Sequence, residues 1–280
     1  MFLPEQDLLR HTYCCPDLVN RSAVLQDLWV ATAQGRIYAR AAWQHPARAP
    51  NVVLVHGLVI SSRYMVPTAE RLAPLCNVYA PDLPGYGKSA KPARILSLAE
   101  LADALASWMA AARVEKAHLV GNSFGCQIIA EFALRHARRI DRLVLQGPTV
   151  DPRARTVPRQ LLRLAHNSAR EPKSLGPITL RDYWAAGARR VAATIRMALA
   201  DRIEEKLPRI GAPTLVVRGT RDPLVPHAWA ERVAKLLPRG ELLELPGLPH
   251  TINYSAPDAF VRAIAPFLHL HAQAALRREL

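Results

Sequence analysis

Ser123, Asp222 and His250 are the residue types, in the chain order, that could carry out acyl-transfer chemistry. A serine hydroxyl is a weak nucleophile until a base takes its proton, and that base needs an acid to orient it. Ser123 sits in Gly121-Asn122-Ser123-Phe124-Gly125, a G-x-S-x-G string. The apolar run Ala117-His118-Leu119-Val120 precedes it and a helical pattern from Cys126 to Phe132 follows. At such a strand-to-helix junction the string makes a sharp turn. The serine Oγ then stands at the carboxyl edge of a sheet, beside the positive end of a helix.

Asp222 falls in the Gly- and Pro-rich stretch 219–226, just past the apolar run 214–217. His250 ends the stretch 246–250, just past the run 241–245. Loops at the carboxyl ends of strands are where ligands and catalytic groups gather in open α/β sheets. The order serine, acid, histidine is the one this topology requires. Asp82 also follows a strand but precedes the serine, and Asp201 lies in a segment without strands. His56 follows an earlier strand in a different motif. A tetrahedral intermediate also needs two backbone N–H donors. Phe124, directly after the nucleophile, is one, and Leu58, in the loop after the strand at 52–55, is the other.

The elements that must position these residues are legible as alternating strands and helices. Residues 27–32 and 36–40 flank Ala33-Gln34-Gly35 as an antiparallel hairpin. Asn51-Val52-Val53-Leu54-Val55 is a continuous apolar run, as in a strand buried on both faces. A helix over about 66–75 and a strand at 77–80 follow. Ser97-Leu98-Ala99-Glu100 has the capping-box pattern ahead of apolar residues at helical spacing. The remaining strands are the elbow strand, 141–145, 214–217 and 241–245, and a helix over about 256–268 closes the domain. This rhythm implies a mostly parallel sheet with helices on both faces. Residues 147–212 break it, with several prolines, many arginines and short helical patterns at 157–165 and 189–199. They read as a helical lid inserted between a core of 1–146 and 213–280.

Composition narrows the classes. A chain of 280 residues, half of them apolar, supports one large domain and is neither disordered nor fibrous. No apolar run approaches the ~20 residues needed to cross a bilayer. The first seven residues lack a basic region followed by an apolar one, so no secretory signal is expected. Cys14, Cys15, Cys76 and Cys126 fit neither a disulfide framework nor a zinc site, which points to the cytoplasm. The net charge of +14 comes from basic residues scattered along the chain, without a basic tail or aromatic-interleaved patch. Nucleic-acid binding is therefore not expected. The densest basic cluster runs from Arg153 to Arg196. Solvated helix faces explain it, or attraction of an anionic substrate or membrane surface.

The pair His56-Gly57, the stretch Asp82-Leu83-Pro84-Gly85-Tyr86-Gly87-Lys88-Ser89, the elbow 121–125, the acid loop 219–226 and the His250 loop occur in that order. This set resembles the α/β-hydrolase family over nearly the whole chain. The resemblance implies an eight-stranded, mostly parallel sheet, a structural role for 82–89, and neither a metal nor an organic cofactor. Its nearest flavour is the group holding ester hydrolases and carbon–carbon-bond hydrolases of ring-cleavage pathways. Serine at 123 argues against haloalkane dehalogenases and epoxide hydrolases, which carry aspartate there. The carbon–carbon subgroup is weakened by His56-Gly57-Leu58-Val59-Ile60-Ser61 in place of a glycine-rich loop, and by Thr251 after His250.

The expected activity is therefore serine hydrolysis of a carboxylic ester or related small-molecule acyl compound. The alternatives are carbon–carbon cleavage of a vinylogous diketo acid and a non-catalytic ligand-binding role. Arg189 or Arg190 would bind a substrate carboxylate. The arginines of the insertion tilt the substrate towards anionic or polar compounds.

Overall fold

The computed structural model describes residues 24–43 and 49–270. The expectations for the N-terminal seven residues, Cys14 and Cys15 lie outside them. Eight strands form one sheet: β1 (Gln26–Thr32), β2 (Gly35–Ala42), β3 (Asn51–Val55), β4 (Asn77–Pro81), β5 (Ala117–Asn122), β6 (Ile140–Gln146), β7 (Thr214–Gly219) and β8 (Gly240–Leu245). Their spatial order is β1-β2-β4-β3-β5-β6-β7-β8. Only β2 runs against its neighbours, β1 and β4; every other pairing is parallel.

The apolar runs alternate between two cores, as a two-residue period demands. Val53 and Val55 enter one core, with Leu119, Leu143, Leu145 and Val216. Val52 and Leu54 enter the other, with Val120, Val144, Leu215 and Val217. Helices α2 (Leu98–Ala111), α3 (Phe124–Arg135) and α8 (His227–Leu236) cover the first face. Helices α1 (Val66–Leu72) and α10 (Pro257–Ile264) cover the second. Fully burying one such aliphatic side chain contributes about 1.5–3 kcal/mol, so strand register is strongly specified.

Local signals hold in detail. Ser97 accepts from the Glu100 amide and the Glu100 carboxylate accepts from the Ser97 amide, the reciprocal cap read from the sequence. The helix expected over 66–75 ends at Leu72. The helix expected over about 256–268 is α10, which stops two residues before Pro266, and a single turn, α9 (Ile252–Ser255), precedes it.

Between β6 and β7 the chain builds α4 (Val157–Ser168), α5 (Leu175–Ala186), α6 (Ala188–Ala200) and the single turn α7 (Ile203–Lys206). The patterns at 157–165 and 189–199 fall within α4 and α6. These helices are tied to the sheet's carboxyl edge by side chains. Asp182 accepts from the Ser61 amide at 2.7 Å, and Gln127 donates to the carbonyls of Thr149 and Ala198, each at 3.0 Å.

Candidate active site

The parallel register places Asn122 beside Gln146 at the ends of β5 and β6, and Ser123 follows immediately. Ser123 has φ 57° and ψ −119°, a backbone conformation that costs a non-glycine residue about 1–3 kcal/mol. Its neighbours make that turn possible. A Cβ on Gly121 would lie 2.7 Å from the Gly125 carbonyl carbon, and one on Gly125 would lie 2.4 Å from the Val55 oxygen. Only glycine lets strand, turn and helix pass this closely. The Ser123 amide is anchored on the Gln146 carbonyl at 2.9 Å. Phe124 opens α3, so its amide is one of those a helix leaves without an internal acceptor.

His250 and Asp222 meet at the same edge of the sheet. The His250 Nδ1 donates to Asp222 Oδ2 at 2.7 Å, and both side chains are buried. Asp222 is itself shaped by its loop, because its Oδ1 accepts from the amides of Leu224 and Val225 at 2.8 and 3.2 Å. An ionised carboxylate only accepts hydrogen bonds, which fixes the proton on Nδ1 and leaves Nε2 with a lone pair. Nε2 is buried and has no hydrogen-bond partner. Burial alone would disfavour the imidazolium. The charge and hydrogen bond of Asp222, with the charge of Glu171, outweigh it and hold the His250 pKa above its ordinary value.

Ser123, Phe124, Leu58 and His250 all line one cavity of about 530 Å3. Its walls continue over the helical segment through Val157, Leu161, Leu164, Leu180 and Leu199, so it is chiefly apolar. Its volume is in the range of roughly 300–1,000 Å3 that suits a small molecule. Lys173 is a cation on its wall. Arg189 and Arg190 do not line it, which corrects the expectation for both. Arg189 is exposed, and Arg190 donates to the Pro92 carbonyl at 2.9 Å. Their helical phase turns them to solvent and to the 85–92 loop.

The rival residues have structural duties. Asp82 accepts from the amides of Ser62 and Lys88 at 2.7 and 2.8 Å. His56 Nε2 accepts from the Leu83 amide at 3.1 Å while Nδ1 donates to the Gly57 carbonyl at 3.0 Å. Burial lowers the His56 pKa, so it stays a neutral brace for its loop. Asp201 pairs with Lys206.

A buried polar network around the site escapes a linear reading. The Tyr64 hydroxyl accepts from the Gly57 amide and donates to Asn122 Oδ1, each at 2.7 Å. The Asn122 Nδ2 donates to Gln146 Oε1 at 2.7 Å, and Gln146 Nε2 donates to the His250 carbonyl. From α4, Asn167 accepts from the His250 amide at 3.2 Å. Glu171, three residues past α4, accepts from the Thr251 amide at 2.8 Å and from the Thr251 hydroxyl. The loop at 57–58, the elbow and the histidine loop are thus one hydrogen-bonded unit. The available signal was a polar residue ending each of two apolar strands, Asn122 and Gln146.

Among the described residues, no group of three or more His, Cys, Asp or Glu side chains could hold a metal ion. No helix among them is long and apolar enough to cross a membrane.

The sequence profile of the alpha/beta hydrolase family matches residues 52–263. The chain belongs to that family, and it is an α/β-fold hydrolase. A protein of Agrobacterium fabrum assigned as carbamate hydrolase RutD is 29% identical over 245 residues, covering 79% of this chain and 94% of the relative. The pimeloyl-[acyl-carrier protein] methyl ester esterase of Vibrio vulnificus is 25% identical over 251 residues, covering 80% and 96%. The crystal structure of the enol-lactonase from Burkholderia xenovorans superimposes with a TM-score of 0.72 at 23% identity, over 86% of this chain and all of that one. At that identity the likeness speaks for the fold.

Proposed function

We propose that this hydrolase cleaves a carboxylic ester or a related acyl compound through Ser123, His250 and Asp222. The observation that carries the reading is one shared cavity. A serine on a strained strand-to-helix turn lines it together with a histidine whose Nδ1 is committed to a buried aspartate, leaving Nε2 unpaired. Nε2 takes the proton as Ser123 Oγ attacks the carbonyl, and later gives it to the leaving group. Asp222 holds the ring and stabilises the imidazolium. The amides of Phe124 and Leu58 receive the oxyanion, and water then releases the acyl group. Residues 147–212 serve as the lid over this site.

The apolar cavity favours a substrate with an apolar acyl portion. The sequence-based tilt towards anionic substrates rested on the arginines of the insertion, none of which lines it. For the same reason the carbon–carbon alternative loses Arg189 and Arg190 as a carboxylate clamp. The family relatives named as a carbamate hydrolase and a methyl ester esterase are consistent with acyl chemistry. A cytoplasmic location suits the two described cysteines, Cys76 and Cys126, which are free and buried.

The test is the initial hydrolysis rate on p-nitrophenyl esters from acetate to palmitate, for wild type and Ser123→Ala in parallel. The proposal expects turnover that falls by several orders of magnitude in the variant. Equal turnover in both would overturn it. Turnover on none of the esters would favour the binding role instead.

A further inference from the structure

The outer surface of the helical segment combines exposed apolar side chains with cations that have no carboxylate beside them. Residues 151–200 hold ten basic and three acidic side chains. All three acids are engaged inside the molecule. Asp151 is buried against Arg163, Asp182 accepts from the Ser61 amide, and Glu171 holds Thr251. Arg153, Arg159, Arg170, Lys173, Arg181 and Arg189 are exposed. So are large apolar residues: Leu161 at 57%, Leu162 at 66%, Leu180 at 73% and Trp184 at 87%.

The two kinds of side chain interleave. Arg159 lies one turn before Leu162 on α4, and Arg181 lies one turn before Trp184 on α5. Leu180 and Trp184 share a face of α5 at i,i+4 spacing. Leu161 and Leu180 also line the cavity, so this surface borders the cavity's opening. A monomer has no packing reason to leave a tryptophan almost bare on the same helix face as an exposed leucine. Apolar anchors ringed by unneutralised cations match the interface of an anionic bilayer, where rings and leucines enter the acyl boundary and cations meet headgroups.

We infer that the face formed by α4 and α5 docks on an anionic lipid surface, bringing the mouth of the cavity to the membrane. Resting on the acyl-hydrolase reading above, this would let an apolar acyl chain pass from the bilayer to Ser123 without crossing water. Docking is peripheral and needs no spanning helix.

The test is co-sedimentation of the full chain with vesicles of phosphatidylcholine alone and of phosphatidylcholine with phosphatidylglycerol. Wild type should bind the anionic vesicles and fail to bind the neutral ones. Leu162→Ser/Trp184→Ser, neither residue lining the cavity, should weaken partitioning at least about tenfold. Arg159→Gln/Arg170→Gln/Arg181→Gln should weaken it by roughly fivefold per cation removed. The control Arg138→Gln/Arg232→Gln/Arg239→Gln removes the same charge outside the segment and should cost far less. Hydrolysis of soluble p-nitrophenyl acetate should stay at the wild-type rate in all three variants, which verifies folding. No binding by wild type, or equal losses in the segment and control variants, would overturn the docking face. Binding to an acidic protein instead of vesicles would do so too. Vesicle binding without ester turnover would leave the docking standing and refute the acyl-hydrolase reading.

Discussion

Gly125→Ala is the perturbation whose consequence follows most directly from the geometry. The added Cβ would sit 2.4 Å from the Val55 oxygen and 2.8 Å from the His56 oxygen. A carbon–oxygen contact relaxes to about 3.3 Å, so the end of β3 must retreat from the elbow by roughly 0.9 Å. Both obstructing atoms are backbone, and the Leu58 amide lies two residues beyond His56. Misplacing a catalytic group by about 1 Å can cost ~100-fold in rate. Overpacking of this kind destabilises by about 1–3 kcal/mol, or roughly 2–10 °C in Tm for a chain of this size. The assay is kcat/KM on a p-nitrophenyl ester alongside thermal unfolding. Gly211→Ala is the control, since nothing lies within 4 Å of its added Cβ. It should leave both quantities unchanged. A Gly125→Ala enzyme within twofold of wild type would refute the idea that close packing of β3 on the elbow sets the oxyanion amides.

Three further outcomes are expected. His250 must be neutral to act as base and its pKa is held above the ordinary value, so kcat/KM should rise with pH through a midpoint above ~6.5. Glu171→Gln removes one negative charge that favours the imidazolium, so that midpoint should move to lower pH while the plateau above it changes little; a fixed midpoint would remove Glu171 from the electrostatics of the base. Tyr64→Phe deletes the acceptor of the buried Gly57 amide and the donor to Asn122, which should destabilise by about 1–3 kcal/mol and lower kcat more than it changes KM. Chemical denaturation with steady-state kinetics checks both. Asp222→Asn preserves the loop but disturbs the tautomer of His250, and kcat should fall by about 10,000-fold, measured on the same ester series.

The sheet was legible because its strands are short apolar runs that a two-faced core requires, and all eight appear where those runs lie. The elbow, the acid loop and the histidine loop were legible because each is a local pattern at a strand's end. Helix α5 was not, since Gly176 and Pro177 at its start mask a helical stretch whose apolar residues face the cavity as much as the core. Arg189 and Arg190 were misplaced for a related reason. Linear sequence shows that a segment is helical but not how it is rotated against its neighbours. Likewise Tyr64, Asn122, Gln146 and the pair Asn167 and Glu171 belong to four separate stretches, and only the folded chain brings them around His250.

The central claim is that Ser123 is a nucleophile activated by His250, and covalent labelling by a fluorophosphonate, read by intact mass and peptide mapping, tests it most directly. The account predicts one adduct per chain on the peptide containing Ser123, none in Ser123→Ala, and strongly slowed labelling in His250→Ala. Labelling at another residue, or labelling of Ser123→Ala at the wild-type rate, would contradict it.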